Sequence, residues 1–277
     1  MLLGAHMSIA GGVSKALERG HSIGCDSIQI FTKNQNRWAA KPLDPKEVER
    51  YCRLQAETGI APVVAHDAYL INLGSPDDAL WEKSVAAFID ELERAETLGI
   101  PYLVMHPGSH VGSGEDVGLA RIAAGLDRAH AATEGFHVMT LLEITAGQGT
   151  NLGYRFEQLA AIRQMVDHPQ RVGICFDTCH ALAAGYEFRT RDSYQTMWEA
   201  FDRIIGIELL KCFHFNDSKK DLGSRVDRHT HIGQGYVGLN AFRFILNDPR
   251  FREIPMLLET PKGPDMKEDV ENLAVLR

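Results

Sequence analysis

Six short apolar runs in this chain each stop on a residue able to bind a metal ion. They end at His66 in VVAHDAYL, His106 in LVMHPGSH, Glu143 in LLEITAGQG, Asp177 in ICFDTCH, His214 in CFHFND and Glu259 in LLETPKG. One such histidine after an apolar run is ordinarily a hydrogen-bonded core residue. Six in register, none of them Ser, Lys or Arg, call for another explanation, because packing unpaired carboxylates and imidazoles together is costly. A cluster of metal ions removes that cost. Two loops add donors: His180 lies three residues after Asp177, and GSRVDRH supplies Asp227 and His229. The nine candidates are five His, two Asp and two Glu.

One zinc needs about four ligands, or three and a water. Nine donors therefore suit two or three ions with a bridging carboxylate. A mixed nitrogen and oxygen set without thiolate fits zinc, manganese or iron better than calcium or magnesium. Such centres act on phosphate esters, where the cations acidify a bound water and neutralise charge on the phosphate and the leaving oxygen. The chain has no GxSxG, P-loop or GxGxxG motif in strand–helix context.

These residues need a frame that brings six strand ends to one place. The apolar runs predict eight strands: Leu2–Ala5, Ser27–Phe31, Pro62–Ala65, Tyr102–Met105, Val138–Leu142, Val172–Phe176, Leu209–Phe213 and Pro255–Leu258. Amphipathic stretches between them predict helices at Gly12–His21, Asp44–Thr58, Pro76–Leu98, Glu115–Glu134, Tyr154–Val166, Asp192–Gly206, Leu239–Asn247 and Met266–Leu276. Strict alternation with a count of eight predicts an α/β fold, a single (β/α)8 TIM barrel with the metal cluster at the C-terminal face of its strands. Ser75-Pro76 and Asp44-Pro45 read as N-caps followed by Pro, and Gly59 and Gly99 as left-handed C-terminal residues.

Bulk properties narrow the setting. The 277 residues are 44% hydrophobic and 24% charged, and no linker divides them, so residues 1–277 are expected to form one domain. No signal peptide and no membrane segment are expected, and five cysteines without a CxxC pair suit a reduced cytoplasmic protein. A net charge of −8 argues against a generic nucleic-acid binder. Four candidate ligands are carboxylates and supply half of that charge, which bound divalent ions would reverse locally.

The segments GAHMSIAGG, FTKNQNRW, HDAYLINLGSP, HPGSH, EITAGQGTNLG, FDTCHALAAGY, HFNDSKKDLGSRVDRHTHIGQG and LLETPKG together resemble the endonuclease IV family of zinc-dependent abasic-site endonucleases. The likeness runs from residue 4 to about 263. It implies a (β/α)8 barrel and three Zn2+ ions, with Mn2+ or Fe as substitutes. On matching positions His66, His106 and bridging Glu143 would hold one ion, Glu143, Asp177, His214 and Glu259 a second, and His180, Asp227 and His229 the third. It implies a DNA-repair hydrolase of the deoxyribonuclease IV type. A metal-activated hydroxide would cut double-stranded DNA 5′ to the abasic sugar, and the enzyme would also trim blocked 3′ ends. Glu143 and Glu259 are the implied catalytic carboxylates, Glu259 orienting or deprotonating the nucleophile.

Tyr69 and Leu70 would act as wedges entering the gap at the lesion, and Asn34 and Arg37 would contact the DNA backbone or fill the stack. Ser224, Arg225 and Arg228 would contact phosphates. A monomer suffices for this task. Two positions depart from the family: Asn36 stands where Arg is frequent, with Arg37 displaced by one, and Ile144 stands where Asn is common, which removes a side-chain hydrogen bond beside Glu143. His21, His130, His137 and His168 read as surface residues, His6 as buried beneath the site, and Cys179 as packing, whereas His110 and His231 lie in active-face loops where they could reach phosphate or the metal surroundings. The rival readings are a metal-dependent barrel sugar isomerase or epimerase, with fewer ions and fewer His, and a non-catalytic lesion binder with a structural metal.

Overall fold

The computed structural model describes Met1–Arg277. Eight parallel strands close into a barrel: Leu2–His6, Ser27–Phe31, Val63–His66, Tyr102–Met105, Met139–Glu143, Val172–Asp177, Leu210–His214 and Pro255–Leu258. Each pairs with its neighbours in sequence, and the first pairs with the eighth. Gly4 permits close approach in the first strand, since a Cβ there would lie 1.6 Å from the Ser27 carbonyl oxygen.

The helices are α1 (Ser14–Ser22), α2 (Pro45–Thr58), α3 (Asp78–Thr97), α4 (Glu115–Ala132), α5 (Phe156–Met165), α6 (Thr178–Ala184), α7 (Arg191–Ile204), α8 (Gly238–Leu246) and α9 (Lys267–Leu276). Asp44 caps α2 with Pro45 as its first residue, and Gly59 adopts the left-handed C-terminal conformation. Gly99 is likewise left-handed just past α3. Ser75 is not the cap of α3. That helix begins later, at Asp78, because Asp77 accepts a 2.8 Å hydrogen bond from the Leu80 N–H. No helix is long and apolar enough to cross a membrane.

Two apolar layers result from the alternation of side chains along each strand. The large layer lies between strands and helices. A smaller cluster comprises Val64, Val104, Leu141, Cys175, Cys212 and Leu257. Each of these stands two residues before one of the six strand-end donors, so it faces the same way. The cluster is the floor of the barrel interior, and the donors are the layer above it.

His130 is not a surface residue. It is 1% exposed on the inner face of α4, with Nε2 3.1 Å from Thr140 Oγ1. Burial lowers its pKa from 6.5 to about 3. The unfolded chain thus takes up a proton there below pH 6.5 that the folded protein refuses, so stability falls as pH drops from 6.5 toward 3. One such proton gives at most about 1.4 kcal/mol per pH unit. Melting of His130→Gln should therefore lose less stability than wild type between neutral pH and the middle of that interval. Parallel pH profiles would show that His130 carries no such linkage.

Candidate metal centre

The six strand-end donors sit in one ring because their strands share register: Glu143 pairs with Cys175, Asp177 with His214, and His66 with Val104. Asp177 ends its strand and also caps α6, accepting a 2.7 Å hydrogen bond from the His180 N–H. That single turn returns His180 to the ring. The remaining two donors come from the loop after the seventh strand. A short hairpin pairs Asp217–Ser218 with His229–Thr230, which aims His229 and neighbouring Asp227 inward.

All nine candidates come together in three groups. These are His66, His106 and Glu143; then Glu143, Asp177, His214 and Glu259; then His180, Asp227 and His229. Within each group the donor atoms lie within 4.8 Å of one another. Glu143 belongs to two groups. Its Oε2 is 3.3 Å from His66 Nε2 and 3.4 Å from His106 Nε2, and its Oε1 is 3.1 Å from His214 Nδ1. His214 Nδ1 is also 3.2 Å from Glu259 Oε2. In the third group Asp227 Oδ1 is 3.2 Å from His180 Nε2 and 3.4 Å from His229 Nε2.

Four imidazoles spend their outer nitrogen on the scaffold. His66 Nδ1 lies 2.9 Å from the Asp67 carbonyl, His180 Nδ1 3.0 Å from the Ile144 carbonyl, and His229 Nδ1 3.3 Å from the Glu259 carbonyl. His214 Nε2 lies 2.8 Å from Gln29 Oε1. Each ring must donate there, which leaves the inner nitrogen with a bare lone pair, the state a metal ligand needs. At residue 144 the backbone supplies an acceptor, whatever the side chain. The inner atoms are then orphaned: Glu143 Oε1, His180 Nε2, His214 Nδ1 and His229 Nε2 are buried without a hydrogen-bond partner. Buried polar atoms in native proteins are nearly always satisfied, so a concentration of orphans facing one another fits cations.

The electrostatics agree. Burial alone would raise the Glu143 carboxyl, but the surrounding His214 and His106 hold it well below the usual range. Glu259 is held at about 2, with burial opposed chiefly by His214. Burial dominates at Asp177, whose carboxyl is raised. For His214 burial opposes charge, yet Glu259 and Glu143 raise it well above its ordinary value. This field favours positive charge among the donors, and ions would supply it in place of protons. Thiolates do not compete. Cys175 and Cys179 approach the donors, but burial pushes Cys179 to about 12 and Cys175 well above the usual thiol value.

Two cavities open over the ring. One, of about 450 Å³, is lined by six of the donors with Tyr69, Lys219 and Arg228. The other, about 760 Å³, runs past Glu259 and Tyr69 to Asn34, Arg19 and Lys262. Tyr69 is 58% exposed at the rim they share, its ring 5.7 Å from His66. Asn34, Tyr69 and Arg228 therefore line the open face. Leu70 is half-buried, Arg37 is exposed further out on its loop, and Ser224 is half-buried with Oγ unpartnered. Arg225, in the left-handed conformation at φ 52°, stacks on Tyr154 at 4.0 Å. Neither cavity is lined by these four. His6 lies beside the ring, with Nδ1 3.0 Å from Gln29 Nε2. His110 Nδ1 accepts the Gly112 and Gly114 N–H groups and caps a turn, and His231 contacts Asn272.

Sequence reasoning does not find Asn216. Its Nδ2 donates to Asp177 Oδ2 at 2.6 Å and its Oδ1 accepts from the Glu259 N–H at 2.8 Å, tying two donors together. Its one signal is an amide two residues beyond His214, in HFND.

Over residues 17–277 the chain matches the family described as xylose isomerase-like TIM barrel. Fold and site thus define a barrel of that class whose open face carries nine clustered metal-type donors. A protein of Chloroflexus aurantiacus named "Probable endonuclease 4" is 59% identical over 274 residues, covering 99% of this chain and 96% of its own. One from Geobacter sulfurreducens with the same name is 51% identical over 275 residues, covering 99% and 93%. The crystal structure of endonuclease IV from Thermus thermophilus superposes with TM-score 0.89 at 40% identity, covering all of this chain and 98% of that one. The chain belongs to the endonuclease IV family. A D-tagatose 3-epimerase-like protein, 20% identical with TM-score 0.72, shares the fold.

Proposed function

We propose that this protein is a DNA-repair endonuclease that hydrolyses the phosphodiester 5′ to an abasic site, leaving a 3′-hydroxyl and a 5′-deoxyribose phosphate. The observation that carries the reading is the set of orphaned inward atoms, one oxygen and three nitrogens, shared among the three donor groups. We assign three Zn2+ ions to those groups, and Glu143, which belongs to two of the groups, would be the donor two ions share. Bound there, the ions would acidify a water and neutralise the scissile phosphate. The chain's own residues do the rest. Gln29 holds Glu259 Oε1 at 2.6 Å and Oε2 lies 3.2 Å from His214 Nδ1, so the carboxylate is fixed at the cavity wall, where it orients the attacking water and takes its proton. Lys219 and Arg228 meet phosphate oxygens at the rim. The same site would accept a blocked 3′ end, whose phosphate occupies the same position.

Tyr69 stands exposed where unstacked DNA would lie, and a base-less sugar is cheap to flip. Base–aromatic stacking contributes about 1–3 kcal/mol. Tyr69→Ala should therefore raise KM for an abasic duplex by roughly 10–100-fold with a smaller effect on kcat. An unchanged KM would remove Tyr69 from the interface. In this reading one domain acts as a monomer on one lesion, in the cytoplasm.

The epimerase rival rests on fold likeness alone. A side-by-side assay separates the two. Metal-replete protein should nick an abasic duplex and leave D-ketohexoses unchanged, and sugar epimerisation without nicking would reverse the assignment.

A further inference from the structure

Gln29 sits at the middle of the second strand, SIQIF, between two isoleucines, and it is fully buried. It pairs in register with Val64, so it belongs to the floor of the barrel interior directly beneath the donor ring. A buried primary amide must place both N–H groups and its carbonyl. Here Nε2 lies 2.6 Å from Glu259 Oε1 and 3.0 Å from His6 Nδ1, while Oε1 lies 2.8 Å from His214 Nε2. The opposite amide orientation would set its oxygen against the Glu259 carboxylate, so the network fixes the orientation. Its consequences are specific. The amide oxygen accepts only, so the His214 proton sits on Nε2 and the bare Nδ1 faces Glu143 and Glu259. The amide nitrogen immobilises Glu259 through Oε1, which leaves Oε2 turned to the same point.

We infer that Gln29 is a positioning residue that presets His214 and Glu259 for the ion they share with Glu143 and Asp177. Among the donor imidazoles, His66, His180 and His229 each hydrogen-bond a backbone carbonyl, which no substitution can remove. The outer nitrogen of His214 depends instead on a side chain, that of Gln29. The inference rests on the metal-centre reading above.

The test uses zinc alone as probe, titrated into purified full-length protein against a chromophoric chelator. Gln29→Met keeps the volume and removes all three hydrogen bonds. Its affinity for one of the bound ions should fall about 10–100-fold. At low free zinc kcat should drop while KM for the duplex holds, and excess zinc should restore kcat. Gln29→Glu keeps an acceptor for His214 but opposes Glu259, so its affinity should lie between wild type and Gln29→Met. It also serves should the Met variant fold poorly. Wild-type zinc affinity in a folded variant, or a kcat loss that zinc does not rescue, would overturn the inference alone. A wild-type protein that takes up no zinc would instead overturn the metal-centre reading, and this inference with it.

Discussion

Replacing Glu143 with glutamine is expected to lower kcat on an abasic duplex by roughly three to four orders of magnitude. The change conserves size and removes one negative charge from the most enclosed point of the site. Three imidazoles turn their inner nitrogen to that carboxylate, His66 and His106 at Oε2 and His214 at Oε1, and His180 Nδ1, which also meets the Ile144 carbonyl, lies 2.9 Å from Oε1. An amide would turn one end into a donor aimed at a bare nitrogen. It would also take the shared ligand from two of the three donor groups. Several kcal/mol of charge stabilisation would go with it, at about 1.4 kcal/mol per tenfold. Metal analysis should show fewer ions per chain while circular dichroism stays that of the wild type. A variant with full metal content and more than a tenth of wild-type activity would remove Glu143 from the centre.

The second large effect falls on stability. Asp217 is fully buried and belongs to none of the three donor groups, yet it organises the loop that carries two of the donors. Its carboxylate accepts from the backbone N–H groups of Ser218 and Val237 at 2.8 Å and Gly233 at 2.9 Å. Gly235 allows that close wrapping, since a Cβ there would lie 2.3 Å from the Ser218 carbonyl oxygen. Asp217→Ala leaves three N–H groups without acceptors, each costing about 1–3 kcal/mol where water cannot enter. Some will relax outward, so a loss of roughly 3–5 kcal/mol is expected in chemical denaturation. Loss of one ion should accompany it, because Asp227 and His229 hang on this loop. A variant within about 1 kcal/mol of wild type would show that the loop holds without Asp217.

These two residues mark how far the sequence can be read. The eight strands are legible to within a residue because barrel strands are continuous apolar runs, and the donors announce themselves as the first polar residues after them. His66, Glu143, Asp177 and His214 end their strands. What escapes are contacts between residues distant in sequence. α6 spans seven residues and its apolar content continues the preceding strand, so no change of period marks it. The hairpin Asp217–Ser218 with His229–Thr230 is two residues a side, too short for any pattern. His130 on α4 reads as exposed because its helix is Ala-rich, which blurs the buried face. Gln29 gives no signal because one amide in a strand has no meaning until the fold puts His214, 185 residues away, beside it.

In the proposed reading the donor ring hydrolyses a phosphodiester beside a missing base through bound ions. The most direct test is a labelled duplex with a single tetrahydrofuran abasic analogue, which cannot undergo β-elimination. It is incubated with metal-replete protein, with protein stripped by prolonged chelation, and with stripped protein given zinc. One nick 5′ to the analogue with an extendable 3′-hydroxyl is expected, lost on stripping and regained with zinc. An intact duplex with metal-replete protein, or a nick that survives complete stripping, would contradict that reading.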